Sequence, residues 1–156
     1  MTGKCLTAAL AFSLAMTGLW LTQLSPAVLA DTDAAGQILP AYHAYALKPP
    51  FPATLDPKQF PDAVSRNVYA LAAKIKSALF QQPCYCYCDR VIGHKSLLDC
   101  FVGTHGSVCD VCEKEAVYVY QQTRLGKTAS QIRAAIIRGD WKFVDLRPYT
   151  TNLSLQ

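Results

Sequence analysis

Charge is scarce in this chain: 15 basic and 11 acidic residues among 156 leave a formal +4, too weak a balance to mark a nucleic-acid surface. Lys95, Lys114 and Arg124 read as a solvated face, and Asp99 and Asp110 as helix caps. No serine nucleophile, carboxylate pair or phosphate-binding loop stands out, so the sequence points away from substrate turnover. There is no internal repeat and, outside one short segment, no strand-like alternation, which argues against a repeat array or a sheet protein. The length allows one core and excludes a large multidomain enzyme. What is abundant is cysteine. Seven occur in all, and six of them fall within the 29 residues 84–112.

Residues 1–30 begin with Lys4, run through the uncharged apolar stretch 5–21 and end in Ser25-Pro26-Ala27-Val28-Leu29-Ala30. This is the pattern of a secretory signal peptide, with Val28 and Ala30 as the small residues of a cut after Ala30 and Pro26 breaking the preceding helix. An uncleaved membrane anchor is the competing reading, because the apolar stretch is about long enough to span a bilayer. Cys5 precedes the apolar run, the wrong side for the acylated cysteine of a lipoprotein. The chain is therefore expected to be exported, periplasmic or extracellular, with a membrane contact only if the leader is uncleaved. In such a compartment disulfides are permitted, and free thiols need a reason to persist.

Residues 31–61 contain Pro40, Pro49, Pro50, Pro52, Pro57 and Pro61, which favour extended backbone and predict a Pro-rich linker or strap. His43 reads as an exposed or packing histidine. Residues 62–145 are expected to form a small, mainly α domain with an irregular Cys-rich loop, and residues 146–156 a C-terminal tail. The spacing of Val64, Val68, Leu71, Ala72, Ile75 and Leu79 predicts an amphipathic helix, ended at Gln81-Gln82-Pro83. A short helix is predicted over residues 97–101, capped by Ser96 with Asp99 as the reciprocal partner and closed by Gly103. The next begins at residues 109–112 and passes Ala116, Val119, Tyr120 and Thr123 to end before Gly126. Thr128 and Gln131 form a capping box for a last helix that buries Ile132, Ala135 and Ile136 and stops at Gly139. Trp141 and Phe143 are expected to close the core as an aromatic clasp.

The run Pro83-Cys84-Tyr85-Cys86-Tyr87-Cys88 spaces three thiols two residues apart. If extended, it would set the sulfurs along one wall at roughly 6 to 7 Å intervals, with Tyr85 and Tyr87 facing the core behind them. Cys100 follows on the short helix after His94. Cys109-Asp110-Val111-Cys112 sits at a helix start, where the unpaired amides and the dipole lower thiol pKa values. His105 can reach the same mouth. Six sulfurs and two imidazoles exceed what one tetrahedral ion requires. Copper(I), content with two or three thiolates and able to share sulfurs, suits the spacing best; two zinc sites or an iron–sulfur cluster are alternatives. The primary expectation is thus a polynuclear metal site built from Cys84, Cys86, Cys88, Cys100, Cys109 and Cys112, with His94 and His105 as auxiliary ligands. Such a protein would store, buffer or deliver metal, the last to a protein partner. Two other readings remain: a disulfide-stapled structural or interaction domain, since six cysteines allow 15 pairings, and a thiol–disulfide oxidoreductase using the CxxC with His105 as base.

With these residues in hand, the segment 83–138 resembles the bacterial exported proteins named for a PCYCGC motif, many of them lipoproteins, whose function is largely unknown. The likeness rests on the motif itself, on Gly93-His94-Lys95-Ser96 to Asp99-Cys100-Phe101, on His105-Gly106 to Cys109 and Val111-Cys112, and on Gly126-Lys127 to Ile132-Arg133. Where that family has glycine between the second and third cysteines, this chain has Tyr87. A bulky residue is not expected to take the positive φ glycine allows, so the loop should be more extended here, or Tyr87 should cover the site. The family's lipidation cysteine is missing, which implies a soluble or differently anchored form. A weaker likeness links residues 109–138 to the exported thiol-reducing subunits of cytochrome c maturation, which combine a CxxC, a helix, a glycine turn and a second helix.

Overall fold

Asp62 begins the first long helix, its carboxylate accepting the Ser65 amide at 2.7 Å, and α1 (Ala63–Lys74) carries Val68, Tyr69, Leu71 and Ala72 into the interior. The apolar spacing continues, but the helix does not: Ile75 leaves helical geometry, and α2 (Lys76–Phe80) restarts after it. Gln82 then turns inward. Fully buried, it donates to the carbonyls of Ala78 and Ala129 and accepts the Leu97 amide on its own carbonyl, joining three parts of the chain where the cysteine segment begins.

The computed structural model describes residues 31–151. The expected signal peptide, Cys5 and residues 152–156 lie outside the described residues. Among those described, six α-helices and no strand are present, so the fold is mainly α, and no helix is long and apolar enough to cross a membrane. Two one-turn helices, α3 (Cys88–Val91) and α4 (Asp99–Val102), lie within the cysteine segment. The central element is α5 (Asp110–Arg124), packed against α1, α2 and α6 (Ala129–Arg138). The core they enclose is built around Tyr69, Phe101, Leu71, Leu79, Leu97, Leu98, Ile132 and Ile136. Tyr69 meets Phe101 edge-on at 5.0 Å, and its hydroxyl donates to the Gly103 carbonyl, which holds α4 against α1.

Capping follows the sequence closely in α6. The Thr128 hydroxyl accepts the Gln131 amide, the Gln131 side chain accepts the Thr128 amide, and Gly139 ends the helix at φ 88°. It departs from the sequence at α4: Ser96 does not cap it, its hydroxyl being buried without a hydrogen-bond partner, and the helix starts two residues later than the expected 97–101. Asp99 faces backwards and accepts the Lys95 amide at 2.6 Å, bending residues 95–99 into a turn instead.

Residues 31–61 lie against the helices in irregular conformation. Leu55 donates its amide to the Phe101 carbonyl, Ala41 to the Asp89 carboxylate, and Arg90 reaches the Ile38 carbonyl. His43 stacks on Phe80 at 3.8 Å, a packing role. At the other end, the Asn67 side chain donates to the carbonyls of Tyr149 and Thr151, so residues 149–151 dock on α1.

The aromatic clasp is half of what was expected. Trp141 is buried, but Phe143 is 90% exposed. Both stand in the 3-10 turn Asp140–Phe143, whose three-residue period points positions two apart in different directions. Trp141→Ala is accordingly expected to cost about 3 kcal/mol in denaturant unfolding, while Phe143→Ser should stay within about 0.5 kcal/mol.

Candidate metal centre

Tyr87 shapes the cysteine loop. Its backbone stands in the left-handed region, φ 58° and ψ 31°, and its amide closes a turn onto the Cys84 carbonyl at 3.1 Å. The expectation of an extended CxCxC run is therefore corrected: the chain coils from Cys84 to Cys88. Cys84 and Cys86 Sγ approach to 3.3 Å rather than lying 6 to 7 Å apart along a wall. The strain at Tyr87 is offset by its ring, which lies under the Arg90 guanidinium at 4.2 Å and edge-on to Tyr85, while its hydroxyl donates to Gln37. Both tyrosines are half-buried, and only Tyr85 packs on the core.

The other ligands arrive on short, rigid pieces. Cys100 rides on α4. His105 opens the 3-10 turn His105–Val108, held close to α4 by Gly106, where an added Cβ would lie 2.8 Å from the Phe101 ring and 3.0 Å from the Cys100 carbonyl oxygen. Cys109 is the N-cap residue of α5 and Cys112 lies in its first turn. The six cysteines of residues 84–112 are free thiols.

Seven of the eight residues expected at the site fall into two groups of close donor atoms, and His94 falls into neither. Cys86, His105, Cys109 and Cys112 form one group whose donor atoms lie within 4.8 Å of one another, and Cys84, Cys88 and Cys100 form a second. Cys84 Sγ is 3.4 Å from Cys112 Sγ, Cys112 is 3.6 Å from Cys86, and Cys88 is 3.6 Å from Cys100. His105 Nε2 stands 3.5 Å from Cys86 Sγ and His94 Nδ1 3.3 Å from Cys100 Sγ. These sulfur separations exceed a covalent S–S bond of about 2.05 Å. They sit close to the S···S edge of roughly 3.8 Å that a tetrahedral ion with about 2.3 Å metal–sulfur bonds would set. The groups could hold a metal ion.

The electrostatics divide the thiols. Hydrogen bonding from Cys100, Cys112 and Cys84 pulls Cys86 well below the ordinary thiol value, and hydrogen bonding led by Cys100 brings Cys88 down to about 3. The deeper Cys84 and Cys100, acting as the donors in a buried crowd of like groups, are held in the protonated form. Cys109 corrects the expectation from its helix position: burial pushes its thiol up to about 12, outweighing the Cys112 amide that would lower it. That weakens the case for the CxxC as a nucleophilic pair.

One residue was missed from sequence. Glu115, three after Cys112 on the inward face of α5, is fully buried, and its Oε1 accepts the Tyr85 amide at 2.9 Å. Its Oε2 is buried without a hydrogen-bond partner. The signal was available in the spacing, since 112, 115, 116 and 119 share one helical face and a glutamate there must be buried. Neighbouring Glu113 is also buried and accepts the Ser65 hydroxyl at 2.8 Å.

The family described as "Protein of unknown function with PCYCGC motif" matches residues 48–143, more than half of the 156 residues. No curated protein and no solved structure matches.

Two tests follow from this geometry. Tyr87→Val should destabilise the protein by about 1–2 kcal/mol, because a β-branched residue resists the left-handed region and brings no ring to Arg90. Tyr87→Gly should change stability by less than about 1 kcal/mol, backbone relief offsetting the lost ring contacts, as read by urea unfolding. The second test concerns Glu115, whose carboxyl burial pushes up from 4.5 to about 8. Between those values the folded chain keeps a proton that the unfolded chain has lost, so its stability contribution is full at low pH and gone above about pH 8. Relative to Glu115→Gln, the unaltered metal-free, reduced protein is thus expected to lose stability as pH rises from 5 to 8, against the opposite trend that the depressed Cys86 and Cys88 give both proteins. Urea unfolding of the two proteins at each pH reads this difference, in which Glu113, its carboxyl raised by burial in both, cancels.

Proposed function

The chain belongs to the family of proteins of unknown function with the PCYCGC motif, and we propose that it is an exported soft-metal-binding protein whose cargo is copper(I). The observation that carries this reading is the convergence of six free thiols and two imidazoles, with neighbouring sulfurs 3.3 to 3.6 Å apart among five of them and Cys109 within 4.8 Å of Cys86 and Cys112. Thiols that merely filled space would each be surrounded by carbon; these touch one another and are faced by ring nitrogens.

Copper(I) fits the donor chemistry for three reasons. Thiolates are soft ligands, two or three of them satisfy the ion, and they can be shared between ions, which suits a group of three beside a group of four. The Cys86, Cys109, Cys112 and His105 group also matches a tetrahedral zinc set, and that is the specific observation behind zinc as a second reading. Residues 1–30 would direct export and be removed after Ala30, and the bound ion would keep the thiols reduced in an oxidising compartment. The role is storage, buffering or hand-over to a delivery partner, which the half-buried Cys86 and Cys109 would serve by letting a bound ion leave.

Elemental analysis of protein recovered anaerobically from the compartment to which the leader sends it is expected to find copper. Thiol reagents should find the six mature-chain cysteines masked until a copper(I) chelator is added. Cys86→Ser removes a ligand and should lower metal affinity by more than the roughly 10- to 100-fold that loss of a group supporting a ligand costs. Sulfurs that become reactive only after reduction, with no ion released by chelation, would overturn the proposal, and zinc in place of copper would overturn the choice of ion.

A further inference from the structure

The two donor groups differ in exposure, and an imidazole stands beside each. Cys84, Cys88 and Cys100 are 3%, 3% and 0% exposed, whereas Cys86, Cys109 and His105 are only half-buried and open the other group to solvent. Each group has an imidazole beside it: His105, a member of the outer group, places Nε2 3.5 Å from Cys86, and His94, outside the inner group, places Nδ1 3.3 Å from Cys100. The two rings stand edge to face at 5.4 Å, side by side at the same mouth.

One sulfur touches both groups. Cys84 belongs with Cys88 and Cys100, all within 4.8 Å, yet its Sγ also lies 3.3 Å from Cys86 and 3.4 Å from Cys112. A thiolate has enough lone pairs to bind two cations, and closely spaced sulfurs favour such sharing.

Resting on the reading of the site as a metal centre, we propose that it holds two ions bridged by Cys84 Sγ, an outer exchangeable one and an inner retained one. The outer ion is bound by Cys86, Cys109, Cys112 and His105, the inner by Cys84, Cys88 and Cys100 with His94. Each thiol gives its proton to solvent as its sulfur–metal bond forms, and no electron moves. The outer ion exchanges with solvent through the half-buried sulfurs, and the inner one leaves only after it.

Cadmium, a soft ion with a useful NMR signal, tests this on the full mature chain kept reduced without competing thiols. Two cadmium ions per chain and two resonances are expected, with a chelator withdrawing the inner ion at least roughly tenfold more slowly than the outer. Cys88→Ser should drop the stoichiometry from two to one and leave the outer resonance close to its original position. Cys84→Ser should also leave one ion, but with the outer resonance displaced, because the bridge is gone. Cys109→Ser should instead weaken the fast-exchanging ion. Helical circular dichroism on each variant separates lost ligands from lost folding, and the serine replacements keep side-chain size. One ion per chain in the unaltered protein, or an outer resonance indifferent to Cys84→Ser, would overturn the two-ion arrangement while leaving metal binding intact. No bound cadmium at all would overturn metal binding itself.

Discussion

Sulfur atoms held 3.3 to 3.6 Å apart in a buried place cannot all be charged at once, and the rest of this structure is arranged around that constraint. In the metal-free chain the charge is placed on Cys86 and Cys88, while Cys84 and Cys100 stay protonated and donate. That is a stable compromise only while no cation is present. A soft ion reverses the balance, because each sulfur still protonated gives up its proton on binding and the crowding that opposed charge becomes a ready-made coordination shell. The scaffold therefore has to tolerate both states without moving far.

It does so by fixing the ligands on pieces too short to flex independently. The cysteine segment contains two one-turn helices and a 3-10 turn, joined by turns, so most side chains of residues 84–112 are within a few residues of a backbone hydrogen bond. Glu115 ties this segment to the central helix through the Tyr85 amide, and Gln82 ties its start to α2 and α6. Gly106 lets the turn carrying His105 sit on the ring of Phe101 without a side chain between them. Polar groups buried this deeply weaken a core unless they are paired, so their placement beside the sulfurs is consistent with positioning rather than with bulk stability.

The long helices were legible in the sequence because their signals are local. The capping box of Thr128 and Gln131, the stop at Gly139 and the start of α5 after Cys109 each depend on residues within one turn. The two groups that could hold a metal were legible too, though His94 falls in neither, because six cysteines and two histidines within residues 84–112 are a denser set of soft donors than core packing requires. Geometry was less so. Whether Asp99 caps forwards to α4 or backwards to Lys95, and whether Phe143 joins Trp141 in the core, depend on contacts with distant segments. Glu115 was hidden because a glutamate on a helix reads as solvent-facing until the helical face is counted out from Cys112.

Tyr87 shows how a local rule can be overridden at such a site. The motif that names the family has glycine at this place, which the left-handed backbone would suit; a tyrosine alone would be expected to force the loop open. Instead the ring finds partners on three sides: Arg90 from α3, Tyr85 from the loop itself, and Gln37 from the segment 31–61. The same arginine holds the Ile38 carbonyl, and Asp89 beside it accepts the Ala41 amide. The N-terminal segment and the cysteine turn thus support each other through one small cluster. A side chain that costs backbone energy in the turn is kept because it fastens residues 31–61 over the outside of the loop, while the sulfurs face inward from the same five residues.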